Sequence, residues 1–157
     1  SPLRGGRAAL GALRHALAEG VAPDGHDDEH ALYDASAALG RLAQTPALVV
    51  VISDFRSTLD PARALGPLRA RHSLLCVEVF DQRELMVPDV GHLSVVDPES
   101  GRTVRVNTSS RRMRERFMAI EAERRARLHD ELRRLRIAHV ELGTHEDWLL
   151  KLGRTLR

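Results

Sequence analysis

In some segments of this chain the apolar residues recur at the spacing of a helix, and in others they form the continuous runs typical of buried strands. Segments 7–18 and 29–44 carry apolar residues at helical intervals, and Pro46 prevents the second from continuing. Segments 47–52 (ALVVVI) and 73–80 (SLLCVEVF) are continuous apolar runs, typical of strands covered on both faces. Between them, Asp60 followed by Pro61 predicts the start of a helix.

The second half of the chain continues this alternation. Segments 93–96 and 103–106 flank a proline- and glycine-containing turn and predict a β-hairpin. Segment 109–136 predicts a long amphipathic helix, 137–142 a third core strand and 146–156 a closing helix. The residues expected to face inward on these two helices are Met113, Phe117, Ile120, Leu128, Leu132, Trp148, Leu149 and Leu152.

The order of these elements predicts an α/β fold. A strand, a helix and a second strand within 47–80 form a βαβ unit, which pairs its strands in parallel. At 157 residues the chain is long enough to bury a core of its own, so one domain over 1–157 is expected. The predicted fold class is a Rossmann-like open parallel sheet with flanking helices and an added hairpin.

Composition limits which cellular compartment and which kinds of partner are expected. The longest apolar run, 47–52, is far shorter than the roughly 20 residues of a membrane span, so no such segment is expected. The first residues lack the apolar core of a secretory signal, and the single cysteine, Cys76, is expected to be a buried thiol. These features favour a cytoplasmic protein. The arginine-rich stretch 111–136 favours a solvated helix face over a nucleic-acid site, because no aromatic residues interleave.

Several motifs lie where the predicted strands end. The first strand is followed by Ser53, Asp54 and Phe55, and the second by Asp81, Arg83 and Glu84. Together with Pro88, Gly91, the Asp-Pro-Glu-x-Gly turn at 97–101 and segment 6–17, they resemble the C-terminal half of the "domain of unknown function 58" family. The resemblance implies a von Willebrand factor type A-like fold, of which this chain holds the later part, and a MoxR-type AAA+ ATPase as partner.

The resemblance also implies what this chain lacks. Type A domains hold a divalent cation through an Asp-x-Ser-x-Ser motif, a loop threonine and a later aspartate, and only the last has a match here, Asp54. Segment 34–38 imitates the first motif, but Ala38 replaces its second serine and the surroundings are helical. Asp54 is therefore an incomplete metal site, at most a weak one for Mg²⁺. Ser53, Asp81 and Glu84 are candidate binding residues at the same edge of the sheet.

Each candidate carboxylate has a structural alternative, namely that it accepts hydrogen bonds from loop amides or caps a helix. No catalytic triad or acid/base pair can be assembled from the sequence. The leading hypothesis is a non-catalytic protein-interaction module. The alternatives are a magnesium-dependent hydrolase that uses Asp54 and Asp81, and nucleic-acid binding by the arginine-rich helix.

In the type A fold, the strand equivalent to 47–52 pairs with a first strand absent here. Its free edge predicts a homodimer or coverage by the N-terminal helices.

Overall fold

The computed structural model describes residues 30–56, 60–96 and 102–155, together with isolated helical positions between 10 and 18. The predicted first helix and the hairpin turn thus lie largely outside the described residues. The elements are α1 (Ala31–Leu42), β1 (Leu48–Ser53), α2 (Pro61–Arg69), β2 (Ser73–Phe80), α3 (Gln82–Leu85), β3 (His92–Val96), β4 (Thr103–Asn107), α4 (Arg111–Arg134), β5 (Ala138–Gly143) and α5 (Trp148–Thr155).

The described strands form one parallel sheet and one separate hairpin. The sheet has the order β1-β2-β5, with Val50 opposite Leu75 and Val77 opposite Val140. Strands β3 and β4 pair antiparallel. The predicted α/β fold with a parallel sheet, flanking helices and an added hairpin is confirmed.

Two helices begin at the side chains that the sequence offers as caps. The Asp60 carboxylate accepts a hydrogen bond from the backbone N–H of Ala62 at 2.8 Å, directly before Pro61 opens α2. The Ser110 hydroxyl accepts one from the N–H of Met113 at 3.4 Å and caps α4. These contacts satisfy backbone amides that have no partner within the helix, and they fix the residues at which α2 and α4 begin.

The main core lies between one face of the sheet and helices α2 and α4. Its buried members include Leu65 and Leu68 of α2, Leu74 and Cys76 of β2, and Leu128 and Leu132 of α4. The predicted inward positions of Leu128 and Leu132 and the predicted burial of Cys76 are confirmed.

Other predicted inward positions are wrong. Ile120 is 54% exposed, and Trp148 and Leu149 are 57% and 65% exposed. On α4 the positions facing the sheet on the turns before Leu128 are charged, because they supply ion-pair partners to a buried glutamate on β2. For the same reason the expectation that all arginines of this helix face solvent is wrong for Arg124 and Arg125. On α5, Leu152 packs against the buried apolar residues of the sheet.

Strand β1 was expected to be covered on both faces, and this is wrong for the described residues. Its burial alternates, with Val49 and Val51 against the core and Leu48, Val50 and Ile52 exposed. The described helices α2 and α4 pack on one face of the sheet, whereas α5 packs on the other face beside β5. Within the described part of the chain, no helix is both long and apolar enough to cross a membrane.

Candidate functional site

The first predicted site lies where β1 ends. The Ser53 hydroxyl accepts a hydrogen bond from the N–H of Phe55 at 3.0 Å, and the Asp54 carboxylate accepts one from the N–H of Arg56 at 3.2 Å. Phe55 is buried and adopts a φ of 50°, a left-handed conformation that is uncommon outside glycine. Ser53 and Asp54 therefore stabilise a strained turn through contacts with local amides.

The candidate residues after β2 have structural contacts too. The Asp81 carboxylate accepts a hydrogen bond from the N–H of Arg83 at 2.8 Å and caps the short helix α3. Glu84 pairs with the guanidinium of Arg56 at 3.4 Å, which links the two strand ends. Among the described residues, Asp54, Asp81 and Glu84 are not gathered into one group of three close ligand atoms. Cation binding at Asp54 stays a prediction.

Sequence reasoning missed a buried ionic cluster beneath this edge, built around Glu78 of β2. The Glu78 side chain is fully buried. Its Oε1 atom lies 3.3 Å from an Nη atom of Arg124 and 3.5 Å from Nε of Arg125, both on α4. Its Oε2 atom lies 3.3 Å from Nε2 of His139 on β5. Burial raises the pKa of Glu78, but His139, Arg125 and Arg124 together hold that pKa below its ordinary value.

A second glutamate extends the cluster across the sheet. Glu141 of β5 lies in register with Glu78, and its Oε2 is 2.7 Å from an Nη atom of Arg125. The Arg125 guanidinium also stacks on the Phe80 ring at 4.3 Å. One arginine thus contacts two neighbouring carboxylates, which offsets their repulsion.

The buried cluster is connected to the strand ends by alternating charges. Arg56 contacts Glu121 at 3.3 Å, and Glu121 contacts Nε of Arg124 at 3.3 Å. Arg124 also donates a hydrogen bond to the carbonyl of Phe55 at 3.1 Å. The strained turn after β1 is therefore stabilised by the same arginine that pairs with Glu78.

The sequence did contain a signal for this cluster. In VEV and VEL, Glu78 and Glu141 each stand between apolar residues of a core strand. On α4, positions 121, 124 and 125 share the helical face of Leu128. A glutamate in a buried strand requires a buried partner, and inward arginines could have been sought on that face.

The opposite face of the sheet is apolar; it is buried at Leu75, Val77, Val140 and Leu142 and exposed on β1. It contains a pocket of about 400 Å³. Leu48, Val50 and Ile52 of β1 are 64%, 47% and 69% exposed there. The other residues lining the pocket are Leu75, Val77, Val79, Leu142, Gly143, Thr144, Trp148 and Leu152.

Several outward arginines of α4 are paired along the helix. Arg111 contacts Glu115 at 2.7 Å, and Arg127 contacts Glu123 at 3.0 Å. Such pairs are those of a solvated helix face and lower the positive charge offered to a nucleic acid.

Comparisons with known proteins identify relatives of this chain that are themselves uncharacterized, so they assign no activity. It is 32% identical over 120 residues to an uncharacterized protein of Mycobacterium avium, which covers 76% of this chain and 70% of that protein. It is 34% identical over 117 residues to uncharacterized proteins of Mycobacterium bovis and Mycobacterium tuberculosis, which covers 74% of this chain but only 37% of theirs. No solved structure matches the chain.

The family comparison agrees with the motifs at the strand ends. Residues 1–127 match the family described as "Protein of unknown function DUF58". The match includes β1, β2, the hairpin and most of α4, and so contains the turn after β1 and the arginines that pair with Glu78. The chain belongs to this family of proteins of unknown function.

Proposed function

We propose that this chain is a non-catalytic protein-interaction module of von Willebrand factor type A-like fold, and that its partner is a MoxR-type AAA+ ATPase. The observation that supports it is the exposed apolar side of β1, next to the free edge of that strand. Leu48, Val50 and Ile52 expose about half to two thirds of their surface on one side of a single strand. Contiguous apolar surface of this kind on a folded domain marks an interaction site.

The edge of β1 adds directional contacts to the apolar face. In the described sheet β1 pairs only with β2, so its second edge presents backbone N–H and C=O groups. Proteins usually protect such an edge with lysine, proline or an inward charge, and segment 48–52 has none of them. A partner segment can therefore pair with the backbone while it covers the three apolar side chains.

The resemblance to the family supports the choice of partner. The matched region is only 37% of the Mycobacterium tuberculosis protein, so in that relative it is one part of a longer chain. An interaction role is compatible with such a position. The competing hypothesis is a magnesium-dependent hydrolase that uses the carboxylates of Asp54 and Asp81, at the ends of β1 and β2. The contacts of these carboxylates to local amides, including the cap of α3, favour a structural role.

Direct binding tests the proposal. The purified chain is titrated with the MoxR-type ATPase from the same genome by biolayer interferometry, with ATP and with ADP. We compare Val50→Lys with Val95→Lys, because the two valines are almost equally exposed (47% and 46%) and both lie on strands, but Val95 belongs to the hairpin. Val50→Lys is expected to weaken binding at least about tenfold, as for a central interface residue, and Val95→Lys to leave it unchanged.

Two results would contradict the proposal. One is the absence of saturable binding of the wild-type chain to the ATPase. The other is equal affinity of the wild type and Val50→Lys, provided that circular dichroism shows both folded. Ile52→Lys gives an independent second variant, because this side chain is 69% exposed and contributes little to the core.

A further inference from the structure

We propose that Glu78, His139 and Glu141 form a binding site for a divalent transition-metal ion of the Zn²⁺ type. The site lies on the helix-covered face of the sheet, opposite Leu48, Val50 and Ile52, and so does not depend on the proposed function. One ligand atom from each of the three residues lies within 4.8 Å of the other two.

Two of the three ligand atoms approach each other as ligands of one ion do. Oε2 of Glu78 and Nε2 of His139 are both buried and lie 3.3 Å apart, and apart from this contact neither atom has a hydrogen-bond partner within the described part of the chain. Zn–N and Zn–O bonds of about 2.0–2.2 Å place two tetrahedral ligand atoms roughly 3.3–3.6 Å apart. The separation of these two atoms is therefore that of two ligands of one ion.

The two oxygens of Glu78 have separate surroundings. Arg124 and Arg125 both contact Oε1, whereas Oε2 faces His139. A cation on Oε2 therefore leaves the contact between Arg124 and Oε1 intact. Such a contact orients a ligating carboxylate from outside the coordination sphere, as metal sites commonly do.

The donor set selects the ion. Imidazole nitrogen with two carboxylates suits Zn²⁺ or Co²⁺ better than Mg²⁺, which prefers oxygen ligands alone. Glu78 is fully buried and the His139 side chain only 6% exposed, but the Glu141 side chain is 41% exposed. The ion enters from the Glu141 side, where a water molecule completes four ligands.

Arg125 is the cation that contacts both glutamates in the structure. Its Nη atom lies 2.7 Å from Oε2 of Glu141 and its Nε 3.5 Å from Oε1 of Glu78. A divalent ion and a guanidinium repel each other at such distances, so the ion displaces Arg125 from Glu141 when it binds. Removal of this competing charge should strengthen metal binding.

The experiment titrates the metal-free chain with ZnCl₂ by calorimetry and with CoCl₂ by visible absorption. Tetrahedral Co²⁺ with a mixed N/O donor set gives characteristic visible bands. We expect one ion per chain, with affinity at least about tenfold weaker in His139→Ala and in Glu141→Gln, since even outer contacts of metal sites are worth 10–100-fold. His145→Ala and Glu123→Gln are matched controls outside the cluster and should bind as the wild type does. Arg125→Met, which keeps the apolar stem over Phe80, should bind more tightly.

The result that overturns the proposal is the absence of stoichiometric Zn²⁺ or Co²⁺ binding. Equal binding by the wild type, His139→Ala and Glu141→Gln also overturns it, because that result places the ion outside this cluster. The half-exposed Glu141 makes Glu141→Gln a fair test even where His139→Ala fails to fold. Loss of metal binding leaves the ATPase titration unaffected, so the two proposals can fail separately.

Discussion

Glu78 and Glu141 occupy paired positions on neighbouring parallel strands, and the guanidinium of Arg125 contacts both carboxylates. Like charges side by side on one face of a sheet repel each other, and the repulsion is strongest where one of them is fully buried. The arrangement is stable because α4 brings Arg124 and Arg125 down onto this face. The packing of α4 on the sheet is therefore ionic near Glu78 and apolar at Leu128 and Leu132.

The first prediction is that Glu78→Gln strongly destabilises the fold. The change leaves Arg124 and Arg125 without their buried partner, and breaking a buried pair from one side costs about 3–5 kcal/mol. The control is Glu123→Gln, in an exposed pair with Arg127, where the expected loss is about 0–1 kcal/mol. Urea denaturation followed by circular dichroism measures both. Equal midpoints for the two variants would show that the cluster contributes nothing to stability.

Much of the fold follows from local chemistry that the sequence displays. The residues of β2 and the cap at Asp60 were predictable, because a continuous apolar run and an Asp-Pro pair each depend on a few adjacent residues. The exposed face of β1 could not be predicted, because the apolar run 47–52 is compatible with helices on one face of the sheet or on both. Coverage depends on where distant helices pack, and the described helices leave Leu48, Val50 and Ile52 exposed.

The candidate site could be predicted only where it depends on adjacent residues. Ser53, Asp54 and Asp81 stand at strand ends as expected, since a strand end is a local property. The buried cluster joins residues from β2, α4 and β5, which are brought together only by the sheet order. Periodicity on α4 favoured Ile120 as an inward residue, but the need to pair Glu78 rotates Arg124 and Arg125 toward the sheet instead.

The apolar part of the α4 contact gives a second prediction. Leu128 is 5% exposed, so Leu128→Ala leaves a cavity and should lower the free energy of unfolding by about 2–5 kcal/mol. Ile120→Ala, on the same helix but 54% exposed, should change it by no more than about 0.5 kcal/mol. Thermal melts of the two variants provide the comparison. A larger effect at Ile120 would mean that α4 packs through its other face.

Cys76 gives a third prediction, on pH and reactivity. Burial raises the pKa of this thiol to about 12, so the native protein should not react with a thiol reagent at pH 8. Because the pKa is higher in the folded state, the group stabilises the fold fully below the pKa of the unfolded thiol, near about 8.5. That contribution is lost as the pH rises toward about 12. Complete labelling should appear on addition of urea, and rapid labelling of the native chain would contradict the burial.

Magnesium binding at Asp54 is predicted to be weak or absent. The Asp54 carboxylate already accepts the N–H of Arg56, and one matched ligand offers too little charge to offset dehydration of the ion. Calorimetric titration with MgCl₂ should give no saturable heat in the millimolar range. Tight binding that disappears in Asp54→Ala but persists in Asp34→Ala, an acid on α1, would overturn the prediction.

The last prediction concerns the free edge of β1 in the isolated chain. With β1 at the border of the described sheet, the backbone groups that point away from β2 require either a second copy of this edge or coverage by the chain's own N-terminal segment. Light scattering over a dilution series separates these outcomes, because a dimer dissociates on dilution and a covered monomer does not. Val50→Lys should convert a dimer to a monomer, whereas the equally exposed Val95→Lys should not. Hydrogen exchange within 49–51 reports the coverage itself, at Val50 above all. The Ala47 carbonyl accepts the N–H of Ser73, so the amides of Val49 and Val51 point to β2 and that of Val50 points to the free edge, where an uncovered amide exchanges fast. A chain that is monomeric at every concentration and exchanges freely at Val50 would exclude both outcomes, and the edge would then be solvated until a partner protein binds.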